Sequence, residues 1–522
     1  MIRERAAIYS GGRTTSDVGS EPAILNGEER HMSMFSWKLH GDGKTIEPGG
    51  AVAPDERLTW GRTVGLGIQH VVAMFGATFV FPIIMGLNPQ LAVMMSGVGT
   101  IIFLLIVKGK VPSYVGTSAA FVGGVTAVTA QGGTPAEVTG AIMVSGVILA
   151  LVGTFIHFIG SSALTKVLPP VVTGGVVMLI GFNLAPVVAS TYWPQDQWIA
   201  VIVMVFIVFL SVWVRGFLGR IAVFLGLVLG YVLSWIFDRV FGQITSYSAT
   251  VDEVTTHFRV DFSGVEAASW IGFPPLTDSA AGVVGVHLPV FNAAAIIVML
   301  PGIIALVAEN VGHVKAVEEM TGARLDKYMG RAVIGDGVAT VVATSVGGSP
   351  TTTYAENIGV MAATRVYSTA AYWVAALVAI VFGLSPKFGA LISAVPGGVL
   401  GGITVVLYGM IGMLGAKIWI ENRVNFANPL NIVPVSAGLI IAIGDVSLVF
   451  SEDFVLSGIA LGTISMLVMY HVARWLAPAD MRDDSGEEAD GAVLSVGQEG
   501  HQRRVADSVE RDRGRRAPNS SE

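Results

Sequence analysis

The sequence predicts an all-α polytopic membrane protein, and three observations carry that reading. Of its 522 residues 52% are hydrophobic and only 13% charged, about half the charged share that a water-facing surface requires. The charge is also segregated. The tracts 64–107, 137–160, 197–235 and 367–415 are almost free of it, while the first 60 residues and the C-terminal end are polar. Finally, the apolar runs are continuous and long enough to span as helices, where a β-barrel would show segments of about ten residues with alternating polarity.

Taking apolar runs of roughly 17–25 residues as spans gives about fourteen crossings. The first seven lie near 63–86, 91–107, 112–130, 138–160, 169–188, 197–214 and 219–237. The second seven lie near 289–312, 330–347, 351–364, 368–385, 391–416, 430–444 and 448–476. Loop charges give an independent count. Lys108 and Lys110, Lys166, Arg215 and Arg220, Lys315 to Arg331, Arg365, and Lys417 and Arg423 all fall on one side, and loops 87–90, 131–136, 189–196 and 348–350 carry no Lys or Arg. Lys387 is an exception, and loop 238–288 carries only Arg239 and Arg259 against several acids. By the positive-inside rule both termini are expected in the cytoplasm of a cell whose inner (plasma) membrane holds the chain. The opening MIRERAAIYSGG precedes any apolar run, so no cleavable signal peptide is expected.

The third and tenth segments are poor helices. PSYVGTSAAFVGG and GGSPTTTYAENIGV mix Pro, Gly, Ser and Thr before turning apolar. Irregular backbone at membrane depth survives only where it is buried in protein or lines a cavity. Each segment reads as an extended stretch feeding a half-helix whose first N–H groups are free for a ligand. Phe121-x-x-Gly124 aligns with Glu356-x-x-Gly359, and Pro170-x4-Gly175 with Pro396-x4-Gly401. Two halves of seven, each with an interrupted third segment, form a 7+7 inverted repeat, the signature of secondary transporters with a midplane site.

Chemistry concentrates in a few residues. Glu309 and His313 lie four apart, one turn of a helix, the spacing of either a proton relay or a structural Glu–His pair. An intramembrane carboxylate is a functional candidate by default. Glu356 opens the second half-helix, where the helix N-terminus can hold its carboxylate. Two acceptor-only groups suit a neutral ligand rich in N–H donors and repel an anion. Backbone N–H groups at Phe121 and Ala355, with Tyr354 beside them, would meet its carbonyls. Phe121 either offers a ring face or is core. His70 and Asp336 are further polar residues at depth, read as supporting. No cysteine is present, and no HExxH or GxSxG arrangement appears. Thiolate metal sites are excluded, and neither an enzyme nor a bound cofactor or metal is expected.

GIQHVVAMFGATFVFPIIMGLNP, KGKVPSYVGTSAAF, VAENVGHVKAV and SPTTTYAENIGVMAATRVYS together resemble the nucleobase–cation symporter-2 family (nucleobase–ascorbate transporters) and its uracil permease branch. Glu356-Asn357-Ile358-Gly359-x4-Thr364-Arg365 matches the family pattern (Q/E/P)-N-x-G-x4-T-(R/K/G). The resemblance implies a core domain of 58–160 and 289–386, a gate domain of 161–238 and 387–476, and an extracytoplasmic loop at 239–288. Tails 1–57 and 477–522 are read from composition as disordered. It also implies short antiparallel strands in segments 3 and 10, a homodimer through the gate domains, and elevator-like movement of the core. Carried over by motif, Glu309 and Glu356 would bind uracil with Phe121, Ala355 and Tyr354. His313 would serve proton coupling with Glu309, supported by His70, Asn357 and Asp336. H+ is the coupling ion, no nucleic-acid partner is implied, and Glu rather than Gln at 356 favours pyrimidines over xanthine.

Overall fold

A backbone removed from water must pair its N–H and C=O groups within itself, so apolar runs of this length fold as helices. The computed structural model describes residues 36–47, 50–160, 166–248, 253–278, 282–451 and 454–482. Its principal helices are α1 (Trp60–Ile84), α2 (Pro89–Ile106), α3 (Val122–Ala130), α4 (Pro135–Ile159), α5 (Pro170–Phe182), α6 (Gln197–Trp213) and α7 (Ala222–Phe241). After a long loop follow α8 (Pro301–Thr321), α9 (Asp326–Thr344), α10 (Ala355–Thr364), α11 (Thr369–Gly383), α12 (Gly397–Glu421), α13 (Pro429–Ile443) and α14 (Gly458–Leu476). Two strands, β1 (Val115–Thr117) and β2 (Thr351–Thr353), precede α3 and α10. Eight of the described helical stretches are long and apolar enough to cross a bilayer, nine if the pair Thr369–Gly383 and Pro386–Ser393, bent by 83°, is one span.

Several boundaries differ from the sequence reading. The run 289–312 is one span, Ala293–Thr321, interrupted locally at Leu300–Pro301, since proline lacks the N–H that would continue the ladder. Ala293–Met299 forms one piece and α8 extends to Thr321. The run 391–416 is likewise two helices, Pro386–Ser393 and α12, separated ahead of Pro396. The final run starts as a hairpin, Ser447–Ser451 against Phe454–Ser457, and becomes helical only at Gly458. SLVFS and FVLS are short apolar runs containing Val and Phe and bounded by Ser, a pattern a strand accommodates as well as a helix. The N-terminal tail also needs correction. From Trp37 the chain is built onto the bundle: Lys38–Leu39 pairs with Glu56–Arg57, Trp37 Nε1 donates to Thr369 Oγ1 (2.8 Å), and Val52, fully buried, exchanges backbone hydrogen bonds with Arg365 and Tyr367. The earlier residues 1–35 and the later ones 483–522 lie outside the described residues.

Packing pairs α4 with α9, and α2 with α11 and α1 with α11. A separate set pairs α5 and α6 with α12, and α13 with α14. In an apolar medium helices associate by close packing, which small residues permit. Gly146 and Gly153 of α4 meet Gly337 and Gly330 of α9 backbone to backbone. A Cβ on Gly337 would stand 2.6 Å from Ala150 N and 2.7 Å from Gly146 O. Gly337→Val is therefore expected to lower stability by about 2–3 kcal/mol through overpacking, read as a fall in the thermal midpoint of the purified protein. Gly65→Ala, where nothing lies within 4 Å of the added methyl, is expected to be neutral or slightly stabilising in a helix. Equal midpoints for both variants would refute the close α4–α9 contact.

Candidate functional site

Both interrupted segments run extended and then helical, and they meet. β1 and β2 pair antiparallel in the register Val115↔Thr353, Gly116↔Thr352 and Thr117↔Thr351. Ser118 N to Pro350 O (2.9 Å) and Tyr354 N to Tyr114 O (3.0 Å) extend the ladder. A two-stranded ribbon leaves its outer edges unpaired, which away from water costs several kcal/mol per group. Two threonine hydroxyls solve this in matching fashion. Thr100 Oγ1 of α2 accepts from Val115 N (3.0 Å), its one hydrogen placed between Ser96 O (2.8 Å) and Val115 O (3.2 Å). Thr340 Oγ1 of α9 accepts from Thr351 N (3.1 Å) and donates to Thr351 O (3.0 Å). The ribbon is thereby fixed. α10 starts where β2 ends, with its first N–H groups lacking intrahelical acceptors, whereas α3 follows a 3-10 turn, Ala119–Phe121, in which Val122 N donates to Ala119 O.

Glu356 sits in the first turn of α10 and turns its carboxylate to its own backbone N–H. Glu309 approaches from α8, which packs on β2 and α10. Both acids are half-buried and Ala355 is exposed, so all three are accessible to a small molecule. Glu309 lies within electrostatic range of Glu356 and Asp336. His313 is there too, but its hydrogen bond runs to β2: Nδ1 pairs with Thr353 Oγ1 at 2.8 Å. The imidazole is thus anchored to the strand, and no hydrogen bond joins it to Glu309 among the described residues.

The remaining residues singled out in the sequence take holding positions. Phe121, 1% exposed, lays its ring on Gly302 of α8, where a Cβ would come within 2.9 Å of it. Its side chain is core, and its backbone is what reaches the start of α3. Tyr354 is buried, with its hydroxyl donating to Thr117 O (2.8 Å) and accepting from Thr78 Oγ1 (3.0 Å). That hydroxyl is committed to the ribbon, and Gly116 leaves room for the ring. Asn357 Nδ2 donates to His70 O (2.9 Å) and meets His70 Nδ1 (3.2 Å), tying α10 to α1, while the His70 ring packs on Tyr372 at 4.4 Å. Asp336 Oδ2 accepts from Asn310 Nδ2 (2.7 Å) and Thr353 N (3.0 Å), securing β2 to α8 and α9. Asn310, Thr100, Thr340 and Thr352 were not singled out in the sequence. Their only signal is a small polar residue inside an apolar run.

The described residues contain no group of three or more His, Asp or Glu side chains placed to hold a metal ion. Chemically, two neighbouring carboxyl groups at the start of α10 can accept hydrogen bonds, and the N–H of Ala355 in its first turn can donate one, to a small polar molecule.

A family model described as Permease family (Xan_ur_permease) matches residues 61–450. The protein named "Putative pyrimidine permease RutG" of Escherichia coli (strain K12) is 42% identical over 448 residues, which cover 84% of this chain and 95% of that protein. "Uracil permease" of Bacillus caldolyticus is 35% identical over 423 residues, covering 78% and 91%. Among solved structures, that of SLC26A9 aligns with a TM-score of 0.52 at 10% identity, over 80% of this chain and 66% of that one, a likeness of fold alone.

Proposed function

The chain belongs to the Permease family (Xan_ur_permease), and from that premise we propose that it is a proton-coupled nucleobase symporter importing uracil across the inner membrane. The convergence of Glu309 and Glu356 on the start of α10 carries the reading. Uracil is a neutral ring with two N–H donors and two carbonyl acceptors. Two carboxyl groups accept from the former, and the backbone N–H groups at Phe121 and Ala355, ahead of α3 and at the start of α10, donate to the latter. Relatives with 42% and 35% identity are named for pyrimidine and uracil.

Coupling follows from charge. A loaded site with ionised acids carries negative charge through an apolar medium at a cost of several kcal/mol. One proton, taken on with the substrate at Glu309 or relayed through His313, cancels part of it. Alternating access is then an elevator motion of α1–α4 with α8–α11 against α5–α7 with α12–α14. Supporting this division, the helices pack mostly within these two sets, and the pairings α2–α11 and α4–α9 exchange when seven is added to one partner and subtracted from the other, as an inverted repeat of fourteen segments requires. Two copies joined through the second set, with both termini in the cytoplasm, complete the proposal.

In cells or proteoliposomes, labelled uracil is expected to accumulate against its gradient and to stop doing so when a protonophore is added. Accumulation indifferent to the proton gradient would sink the coupling. Unlabelled xanthine competing better than unlabelled uracil would move the substrate to the purines.

A further inference from the structure

Three oxygens where α8, α9 and β2 meet are buried and without a committed hydrogen-bond partner among the described residues: Asp336 Oδ1, Asn310 Oδ1 and Thr352 Oγ1. These residues are 0%, 0% and 2% exposed. Two of the three are oriented by their other atoms. Asn310 Nδ2 donates to Leu306 O (3.1 Å) and to Asp336 Oδ2 (2.7 Å), which also accepts from Thr353 N (3.0 Å). Asp336 therefore keeps one oxygen engaged and one uncommitted, with no cation paired to it among the described residues. Thr352, opposite Gly116 in the ribbon, has its hydroxyl within interaction range of the carboxyl groups of both Glu309 and Asp336, with neither committed to it as a full hydrogen bond. A threonine hydroxyl has a single hydrogen and rotates freely about its C–O bond, so it donates to one acid at a time while accepting from the other. The ionisable groups facing this spot are Glu309 and His313 from α8, Asp336 from α9, and Tyr354 and Glu356 at the start of α10, with the charge of Lys417 of α12 felt at His313.

We infer that Thr352 relays a proton between Glu309 and Asp336, making Asp336 a second proton-bearing acid in the transport cycle. The inference rests on the proton-coupled reading above. In the step, the Glu309 carboxylic acid gives its proton to Thr352 Oγ1 as the Thr352 hydroxyl hydrogen passes to Asp336 Oδ1. One O–H bond breaks at Glu309 and one forms at Asp336, Thr352 ends as a hydroxyl, and no electrons change owner. The negative charge moves from behind β2 to the open side, where Glu309 accepts a hydrogen bond from the substrate. Reversal returns the proton once the substrate leaves. Asp336 stores the proton, and Thr352 is a positioning and relay residue that need not touch substrate.

The test uses full-length protein with Thr352→Val, which keeps the shape and removes the hydroxyl, and Thr352→Ser, which restores it. The first readout is infrared titration of the protonated-carboxyl band, with Glu309→Gln and Asp336→Asn assigning the two acids. In wild type and Thr352→Ser the Asp336 band is expected to respond when Glu309 is replaced, and in Thr352→Val that response is expected to shrink to what the charge of Glu309 alone exerts on Asp336. The second readout compares proton-driven uracil uptake with uracil exchange, which needs no net proton movement. Thr352→Val is expected to lose about tenfold or more in uptake, the low end of what a positioned proton-transfer group contributes, with exchange within about twofold of wild type. Unchanged uptake and an unchanged Asp336 response in Thr352→Val would overturn the relay, as would equal loss of uptake and exchange in both variants. If wild type moves no uracil, the substrate reading fails, while the infrared coupling still decides the relay by itself.

Discussion

Glu309→Gln and Glu356→Gln are each expected to weaken uracil binding by about tenfold to a hundredfold, the worth of a hydrogen bond to a charged group. The side chains keep their size, so packing against β2 and α10 is preserved. What changes is chemistry. A carboxylate only accepts, and a Gln amide directs an NH2 either at the ligand's own N–H or at a neighbour. The two variants should also differ from each other. Glu356 is held by the N-terminus of α10 and its own N–H, so Glu356→Gln is expected to keep a defined pocket and to shift preference toward purines. Glu309 stands among Glu356, Asp336 and Thr352, so Glu309→Gln should also break the dependence of uptake on the proton gradient. Equilibrium binding of uracil and xanthine to purified protein, with thermal midpoints as a check on folding, decides the matter. Wild-type uracil affinity in both variants would refute the site.

How much of this was legible in the chain depends on the range of the signal. Apolar runs and their interruptions at 112–130 and 351–364 are local properties, and they located the helices and both extended segments. Glu309 and Glu356 stood out because a carboxyl in an apolar run is conspicuous without any partner in view. Threonine is not, and Thr100, Thr340 and Thr352 became meaningful only once the ribbon lay beside them. The spacing of His313 and Glu309 was read correctly as one turn, yet the ring's hydrogen bond went to Thr353, 40 residues away. Spacing along a helix cannot anticipate a strand crossing it. The N-terminal segment failed for a similar reason. Its composition is that of a tail, but Trp37 finds its acceptor on Thr369, 332 residues on.

Arg259→Met is expected to cost about 3–5 kcal/mol of stability, the range for breaking a buried ion pair by removing one partner. The loop between α7 and α8 is long and polar, and its composition says nothing of where it attaches. In the structure Arg259 Nε reaches Asp196 Oδ2 at 2.7 Å and its Nη1 reaches Asp238 Oδ1 at 3.1 Å. The side chains are 10%, 6% and 9% exposed, so solvent screens the pairs little. Each acid has a second duty. Asp196 caps α6 by accepting from Trp198 N and Ile199 N, and Asp238, near the end of α7, accepts from Arg259 N and Val260 N. Losing the guanidinium leaves two carboxylates in a poorly solvated corner and detaches the loop from two helix ends. Arg259→Lys should fall between, because one ammonium cannot span both acids in the fork geometry of Arg. Adding Asp196→Asn and Asp238→Asn to Arg259→Met should recover part of the loss, since neutral amides retain most of the backbone hydrogen bonds without stranded charge. Thermal midpoints of the four proteins form the test. A change below about 1 kcal/mol in Arg259→Met would place these contacts with exposed pairs, and failure of the triple variant to recover would assign the loss to packing of the arginine stem. Uracil affinity of the folded protein should be the same in all four, because the site is built from α8, α10 and the ribbon, to which this corner contributes no side chain.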